Sequence, residues 1–388
     1  MIDVQKVFMS LLIIIMLAAC GESQTTVDDG GVNATAFDWQ IPSNMPLPIE
    51  PSDNPMSQAK FELGRHLFFD RRLSGNGTQS CGSCHEQALS FTDGLAKSVG
   101  STGQVLARNS QSLLNVAYNA TLTWANFSLV TLERQALVPL FGEDPVEQGI
   151  TDANRDDVLQ RIIDEPRYLS LFEDAFPKDL NPIDVANVVD SIASFVRGLV
   201  SFDSSFDRFF QGDTSALSTS ARRGRTLFNG EDLECFHCHG GYNFSDSTVD
   251  RNMTFISRPF HNTGLFNIGG TGAYPEDNSG LIELTGKPSD MGKFRAPTLR
   301  NIAITAPYMH DGSMSSLGEV IDFYAAGGRN IESGPNTGDG RFSPFKDGFI
   351  SGFDLTEQDK TDLIVFLNSL TDNTFLTNPR FGNPWEAL

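Results

Sequence analysis

Positive charge is in short supply: 28 Lys and Arg face 49 Asp and Glu over 388 residues, a net −21 at neutral pH. That balance argues against nucleic acid or an anionic membrane surface as a partner and leaves a basic partner or none. Hydroxylated and indole rings are also few, 6 Tyr and 3 Trp against 30 Phe, so each is worth locating individually. Histidine is as scarce at 6, and none falls between His85 and His237. Long apolar runs are missing apart from one near the start. What remains, 39% apolar and 20% charged residues, is enough for a full core and excludes a disordered chain. The length fits two or three domains of roughly 100–200 residues each.

The one apolar run, Val7 to Leu17 behind Lys6, is about 11 residues long. A mature spanning helix needs about 20, whereas a signal-peptide core needs about this many. The run ends in Leu17-Ala18-Ala19-Cys20-Gly21, which resembles the bacterial lipobox, in which the cysteine is lipidated and becomes the new N-terminus. Residues 1–19 are therefore expected to be a lipoprotein signal peptide, with Cys20 the lipidation site. The stretch 20–40, rich in Gly, Ser, Thr and Asp, is expected to be a flexible tether. The expected location is the periplasmic side of a bacterial membrane, the outer one by preference, reached only through the lipid.

Apart from Cys20 the cysteines fall in two pairs, Cys81-Gly82-Ser83-Cys84-His85 and Cys235-Phe236-His237-Cys238-His239. C-x-x-C-H is the attachment signature of c-type haem: two thiols add to the vinyl groups and the next residue offers an imidazole to iron. An exported chain could instead form disulfides, but a disulfide does not require a following His, and both pairs have one. A zinc site would need all four thiols together, and the pairs are far apart in sequence.

The pairs also lie in an internal repeat. Ala59-Lys60-Phe61-Glu62-Leu63-Gly64-Arg65-His66-Leu67-Phe68 precedes the first, and Ala221-Arg222-Arg223-Gly224-Arg225-Thr226-Leu227-Phe228 the second. Each reads as a short helix with Gly at a packing position, then a loop into the cysteines. The expected fold is mostly α with little β: two cytochrome c-like haem domains in tandem, 41–204 and 205–388. Helices are predicted over Asp156 to Phe176 and Ile183 to Phe202 from apolar spacing, and from Thr356 onward, with Asp359 completing a capping box. The Gly-, Asn- and Pro-rich stretch from Asn262 to Gly292 reads as loop.

With both motifs in this layout the chain resembles the bacterial di-haem cytochrome c peroxidase and MauG superfamily from about Asn54 to Asp372. The runs that carry the resemblance are LGRHLFFD (63–70), FTDG (91–94), LERQALVPLF (132–141), FRAPTLRN (294–301) and TAPYMHDGS (305–313). Within it, NPMSQAK (54–60), SGNGTQSC (74–81), VGSTG (99–103) and LTWAN (122–126) are most similar to the MbnH-type di-haem proteins, a branch associated with oxidation of a partner protein's tryptophan.

The resemblance implies an asymmetry between the haems. In the classical peroxidases a distal His closes the N-terminal haem; here Ser101 stands at that position, so an open iron is expected. His66, His261 or His310 could still reach it from elsewhere. By the same resemblance Tyr324 lies where the second haem takes its distal ligand, which in classical peroxidases is Met; a core role for Tyr324, with Met309 or Met314 as ligand, is the alternative. His310 resembles the family's histidine at a haem propionate. His66, His237 and His261 read as structural or surface residues.

Splitting an iron-bound peroxide needs a group to move a proton and a polar partner to orient it. The resemblance assigns these tasks to Glu147 and Gln135, although both would by default be solvated and Glu133 and Glu143 are neighbours. Trp124 matches the tryptophan between the two haems, which could relay an electron hole or simply pack. The loop differs from the classical one: Trp124 is followed by Ala125-Asn126-Phe127, which shifts Gln135 by one residue. An inter-domain Ca²⁺ is also implied, held by the Asn109 side chain and the Thr305 and Pro307 carbonyls, all hard oxygen donors.

Three activities compete on these residues. In the first, H2O2 drives both haems to a high-valent state that oxidises a residue, by preference Trp, of an exported partner protein. In the second, the chain scavenges H2O2 with electrons from a small cytochrome or cupredoxin. In the third, it is a non-enzymatic electron carrier with both irons closed. Ser101, Tyr324 and Trp124 favour the first.

Overall fold

The computed structural model describes residues 36–386. The expected signal peptide, Cys20 and most of the expected tether lie outside the described residues. Phe37, at the end of that tether stretch, is buried and packs on Phe61 with ring centroids 5.1 Å apart.

The fold is mostly helical. Its first half holds α1 (Gln58–Phe69), α2 (Leu132–Phe141), α3 (Arg155–Ile163), α4 (Pro166–Ala175) and α5 (Val185–Arg197). Then follow α6 (Ser205–Phe210), α7 (Thr219–Phe228), α8 (Phe236–His239), α9 (Ile282–Thr285), α10 (Leu317–Ala325), α11 (Glu357–Asn368) and α12 (Asn373–Thr377). The sheet is a minimal antiparallel pair, β1 (Asn330–Ile331) and β2 (Gly338–Asp339).

The predicted Asp156–Phe176 helix is two helices, because Pro166 cannot continue the first and instead starts the second. The predicted Ile183–Phe202 helix is trimmed to Val185–Arg197, capped by Asp184 at one end and ended by Gly198 at the other. The Thr356 start is as predicted: its hydroxyl accepts from the Asp359 N–H while the Asp359 carboxylate accepts from the Thr356 N–H. The 262–292 stretch is loop interrupted by a short turn at Glu276–Asn278, by α9 and by a second turn at Pro288–Asp290.

The repeat seen in sequence is a repeated helix crossing. Ser57 caps α1, which crosses α5 so closely that a Cβ on Gly64 would overlap the Ser191 carbonyl. Ser218 caps α7, which crosses α11 in the same way, with Gly224 against the Asp362 carbonyl. Glycine is required here by backbone contact, not by its φ. Gly64→Ala and Gly224→Ala should each cost about 1–3 kcal/mol of stability, the usual cost of overpacking a filled site. Gly348→Ala, where a Cβ meets nothing within 4 Å, should stay within about 0.5 kcal/mol. Denaturant unfolding of the three variants checks this; equal stabilities would refute the crossing.

Two apolar clusters form around these crossings. The first gathers Phe61, Phe68, Phe91 and Phe195, and is closed by Phe375 and Phe381 from the far end of the chain. The Gln87 amide donates to the Phe375 and Asn378 carbonyls (2.8 and 2.9 Å), so the C-terminal tail is tied to the N-terminal cluster. The second gathers Phe228, Phe244, Phe266, Phe294, Tyr308 and Phe366.

Candidate haem centres

Both cysteine motifs fold as one tight turn. The His85 N–H donates to the Cys81 carbonyl, and the His239 N–H to the Cys235 carbonyl, each at 3.0 Å. The chain then doubles back through a residue in the left-handed region, Phe91 (φ 60°) in one motif and Phe244 (φ 50°) in the other. Each turn aims a carbonyl at the imidazole: His85 Nδ1 lies 2.7 Å from the Phe91 oxygen and His239 Nδ1 lies 3.1 Å from the Phe244 oxygen. With Nδ1 donating, Nε2 keeps its lone pair for a metal. Burial lowers both imidazole pKa values, so both rings are neutral. Burial also pushes the Cys81 thiol up to about 12, Cys84 to about 11 and Cys235 to about 12. All four cysteines are unpaired. Two thiols beside a fixed imidazole are the attachment set of a c-type haem, and both sites fit it.

Near the first motif, Glu147 lies close enough for its charge to act on both cysteines. Burial raises the Glu147 carboxyl pKa, and its charge in turn raises the Cys81 and Cys84 thiols. Gln135, on α2, has a buried Oε1 with no hydrogen-bond partner. Ser101 is laid against the loop that carries Glu147: its N–H donates to the Glu147 carbonyl at 2.7 Å, and a Cβ on Gly100 would overlap the Val146 carbonyl. The neighbouring acids do other things. Glu133 accepts from the buried Arg197 and from Asn54, while Glu143 is exposed. Nor are His66, His261 and His310, the histidines that could have come from elsewhere, free to serve the first motif. His66 packs edge-on to Trp385, His261 bridges two carboxylates, and His310 stacks on Phe294.

A cavity of about 240 Å³ adjoins the second motif, lined by Cys235, Cys238, His239 and, on α10, Tyr324. Burial raises the Tyr324 phenol pKa, and the neighbouring Cys238 and Cys235 add to the effect. Met309 lines the same cavity, whereas Met314 is buried in the second apolar cluster. Trp124, Asn109, Thr305, Pro307 and His310 line the cavity as well. The Trp124 indole N–H donates to the Asn109 carbonyl at 2.8 Å. His310 is buried, stacked on Phe294 at 3.6 Å between centroids, and its Nε2 has no partner. Burial, with Arg108 and Arg329 nearby, holds its pKa well below the ordinary imidazole value.

A second repeat, not recognised in the sequence, explains why Trp124 and His310 meet. Leu113-Leu114-Asn115-Val116-Ala117 matches Leu299-Arg300-Asn301-Ile302-Ala303. Asn115 (φ 54°) and Asn301 (φ 56°) are both left-handed, and each opens a 3-10 turn. The Asn115 side chain accepts from the Ser201 N–H (2.8 Å), and the Asn301 side chain from the Asp372 N–H (2.7 Å). Equally far beyond each Asn comes a second left-handed residue, Thr123 (φ 65°) or Met309 (φ 70°), followed by Trp124 or His310. The two copies clasp reciprocally: the Asn109 N–H donates to the His310 carbonyl (2.9 Å) and the Arg295 N–H to the Trp124 carbonyl (2.8 Å). Trp124 and His310 are thus equivalent positions facing one cavity, with rings 6.4 Å apart. The shared Leu-x-Asn-x-Ala signal could have revealed this.

His261 proves more engaged than a default surface histidine. Nδ1 lies 2.7 Å from Asp347 and Nε2 lies 2.7 Å from Asp246, so both nitrogens face carboxylates. Burial opposes its charge, but the bonds to Asp246, Cys238 and Asp347 prevail and push its pKa up to about 11.

With this geometry in place, the comparisons with known proteins are specific. A family model described as di-haem cytochrome c peroxidase matches residues 58–215. The chain is 35% identical over 375 residues to cytochrome-c peroxidase IdrP1 of Denitromonas iodatirespirans, covering 92% of this chain and 94% of that one. It is 32% identical over 334 residues to the methylamine utilization protein MauG of Methylorubrum extorquens strain AM1, covering 86% and 83%. Among solved structures, a MauG-like protein associated with microbial copper homeostasis superposes with a TM-score of 0.89 at 52% identity, over 90% of this chain and 100% of that one.

Proposed function

The chain belongs to the di-haem cytochrome c peroxidase and MauG family, and from that premise we propose that it uses hydrogen peroxide to oxidise a residue, by preference a tryptophan, of an exported partner protein. Bound at His85 and His239, the two c-type haems would supply peroxide reduction and storage of the oxidising equivalents.

The chain's own residues divide the remaining work. Glu147 takes the proton of the incoming peroxide, and Gln135, whose buried Oε1 lacks a partner, orients it. Ser101, standing where the classical peroxidases have a histidine, would leave the first iron without a protein ligand on that side. Tyr324 offers an oxygen donor to the second, a hard ligand suited to an oxidised metal. Trp124, seated between the two halves, carries the hole from one to the other. The observation that carries this reading is the asymmetry of the two sites: His66, His261 and His310 are all engaged away from the first, while the second has a tyrosine lining its cavity. Asn109, Thr305 and Pro307 border the same cavity, and their oxygens would take Ca²⁺. Cys20 would anchor the chain by lipid on the periplasmic side of the outer membrane. The copper association of the 52% identical protein favours an exported copper-handling partner.

Met309, which lines the same cavity as Tyr324, favours a second reading, a scavenging peroxidase fed by a small electron donor. One equivalent of peroxide added to the ferric protein separates the two. On the first reading the oxidised state persists alone, decays faster with the partner, and leaves the partner with added oxygen by mass spectrometry. Rapid turnover with a reduced small cytochrome and an unmodified partner would overturn it.

A further inference from the structure

Three arginines are buried among the described residues: Arg197, Arg295 and Arg300, at 3%, 4% and 2% exposure. Two have the partner that burial demands. Arg197 meets Glu133, and Arg300 holds Asp207 through two 2.9 Å bonds. Arg295 has no paired carboxylate; Asp246 only acts on it from a distance. Its Nε donates to the Thr123 carbonyl (3.1 Å), one terminal nitrogen to the Gln111 side-chain oxygen, and the other weakly to the Ala296 carbonyl (3.4 Å). Burial lowers its pKa only to about 10, so it stays charged at neutral pH. A buried cation without an anion is strongly disfavoured. Arg295 lines the cavity shared by His239 and Tyr324, which is where the missing anion belongs.

The neutral bonds of Arg295 have a direction of their own. They cross to the other half of the molecule and hold Thr123, a β-branched residue in the left-handed region. Such a conformation persists only where its surroundings enforce it. The backbone N–H of Arg295 holds the next residue, donating to the Trp124 carbonyl. We propose that Arg295 is the counter-ion of a haem propionate in the Tyr324 cavity and, through the guanidinium bond to the Thr123 carbonyl, the clamp on the peptide that leads into Trp124. The inference rests on the haem site and is independent of what the oxidised protein acts on.

The test uses the haem-loaded protein. A positive charge stabilises ferrous over ferric iron, so Arg295→Gln should lower the potential of the Tyr324-side haem. A roughly tenfold shift in its redox equilibrium is expected for a charge near the porphyrin edge, about 59 mV for one electron. Arg295→Lys keeps the charge but not the planar fork, and should restore most of the potential. The propionate-bending band in resonance Raman should shift in both variants. Hydrogen exchange over residues 120–126 should quicken in both, more in the glutamine variant. An unchanged potential and band in Arg295→Gln, or unchanged exchange in both, would overturn the proposal. If the glutamine variant does not load haem, Arg295→Lys decides: an unshifted band overturns it, and a shifted band with faster exchange supports it.

Discussion

Replacing Tyr324 by Phe should strip the second haem of its oxygen ligand and raise its reduction potential by roughly 0.1 V or more, within the ~0.8 V that axial ligands span. The change removes one oxygen from a ring held on α10 within a packed cavity, so shape and burial are kept and the effect reads ligation alone. Burial keeps the phenol protonated in isolation, since its pKa is raised by desolvation and by the nearby cysteines. A cation within the cavity would make the anionic form favourable, and iron held by His239 would supply one. A phenolate stabilises the oxidised metal, so without it the peroxide-oxidised protein should decay markedly faster. Optical and electron paramagnetic resonance spectra of the ferric variant should show a change of spin state at this haem and none at the other. If the spectra and potential are unchanged, Met309 is the ligand; Met309→Leu would then show the loss instead, and the partner-oxidation reading would give way to scavenging.

How much of this was legible in the sequence depends on the range of the interaction. The cysteine motifs, the helix-crossing glycines and the Thr356 cap are local patterns, and each lies in the structure where its pattern put it. The helix over 156–176 failed at Pro166 because apolar periodicity was read through a residue that cannot continue a helix. The packing of Phe375 and Phe381 on the first cluster joins the two ends of the chain, and no local pattern encodes it. The site shows the same division. Trp124, Tyr324 and His310 were singled out by resemblance to known motifs, and all three line the cavity. Arg295 was missed because its importance lies in what it lacks, a carboxylate within reach, and that is a property of three-dimensional surroundings. The His261 bridge was missed for a similar reason: Asp246 and Asp347 flank it in space from opposite directions along the chain.

Glu147→Gln should slow the reaction with peroxide by about 10²–10⁴-fold, the range typical for losing a positioned acid–base group. The amide keeps the size and polarity of the carboxyl but can neither take the proton from the inner peroxide oxygen nor return it to the outer one. Folding is not at risk. Burial raises the Glu147 pKa, so ionising it costs the native state stability as pH rises through the raised value. An amide has no charge to bury, and the variant should be as stable as the parent at pH 7 or slightly more so. The same shift fixes the pH profile. Below its raised pKa Glu147 is protonated and cannot accept, so the parent's peroxide rate should climb with pH through a value above the ordinary 4.5 and then level off. The variant should lose that climb together with the rate. Glu143→Gln supplies the control, because Glu143 is exposed and should change neither. Stopped-flow measurement of the ferric protein with peroxide decides the matter. A variant within threefold of the parent, or one that keeps the parent's pH profile, would remove Glu147 from the reaction.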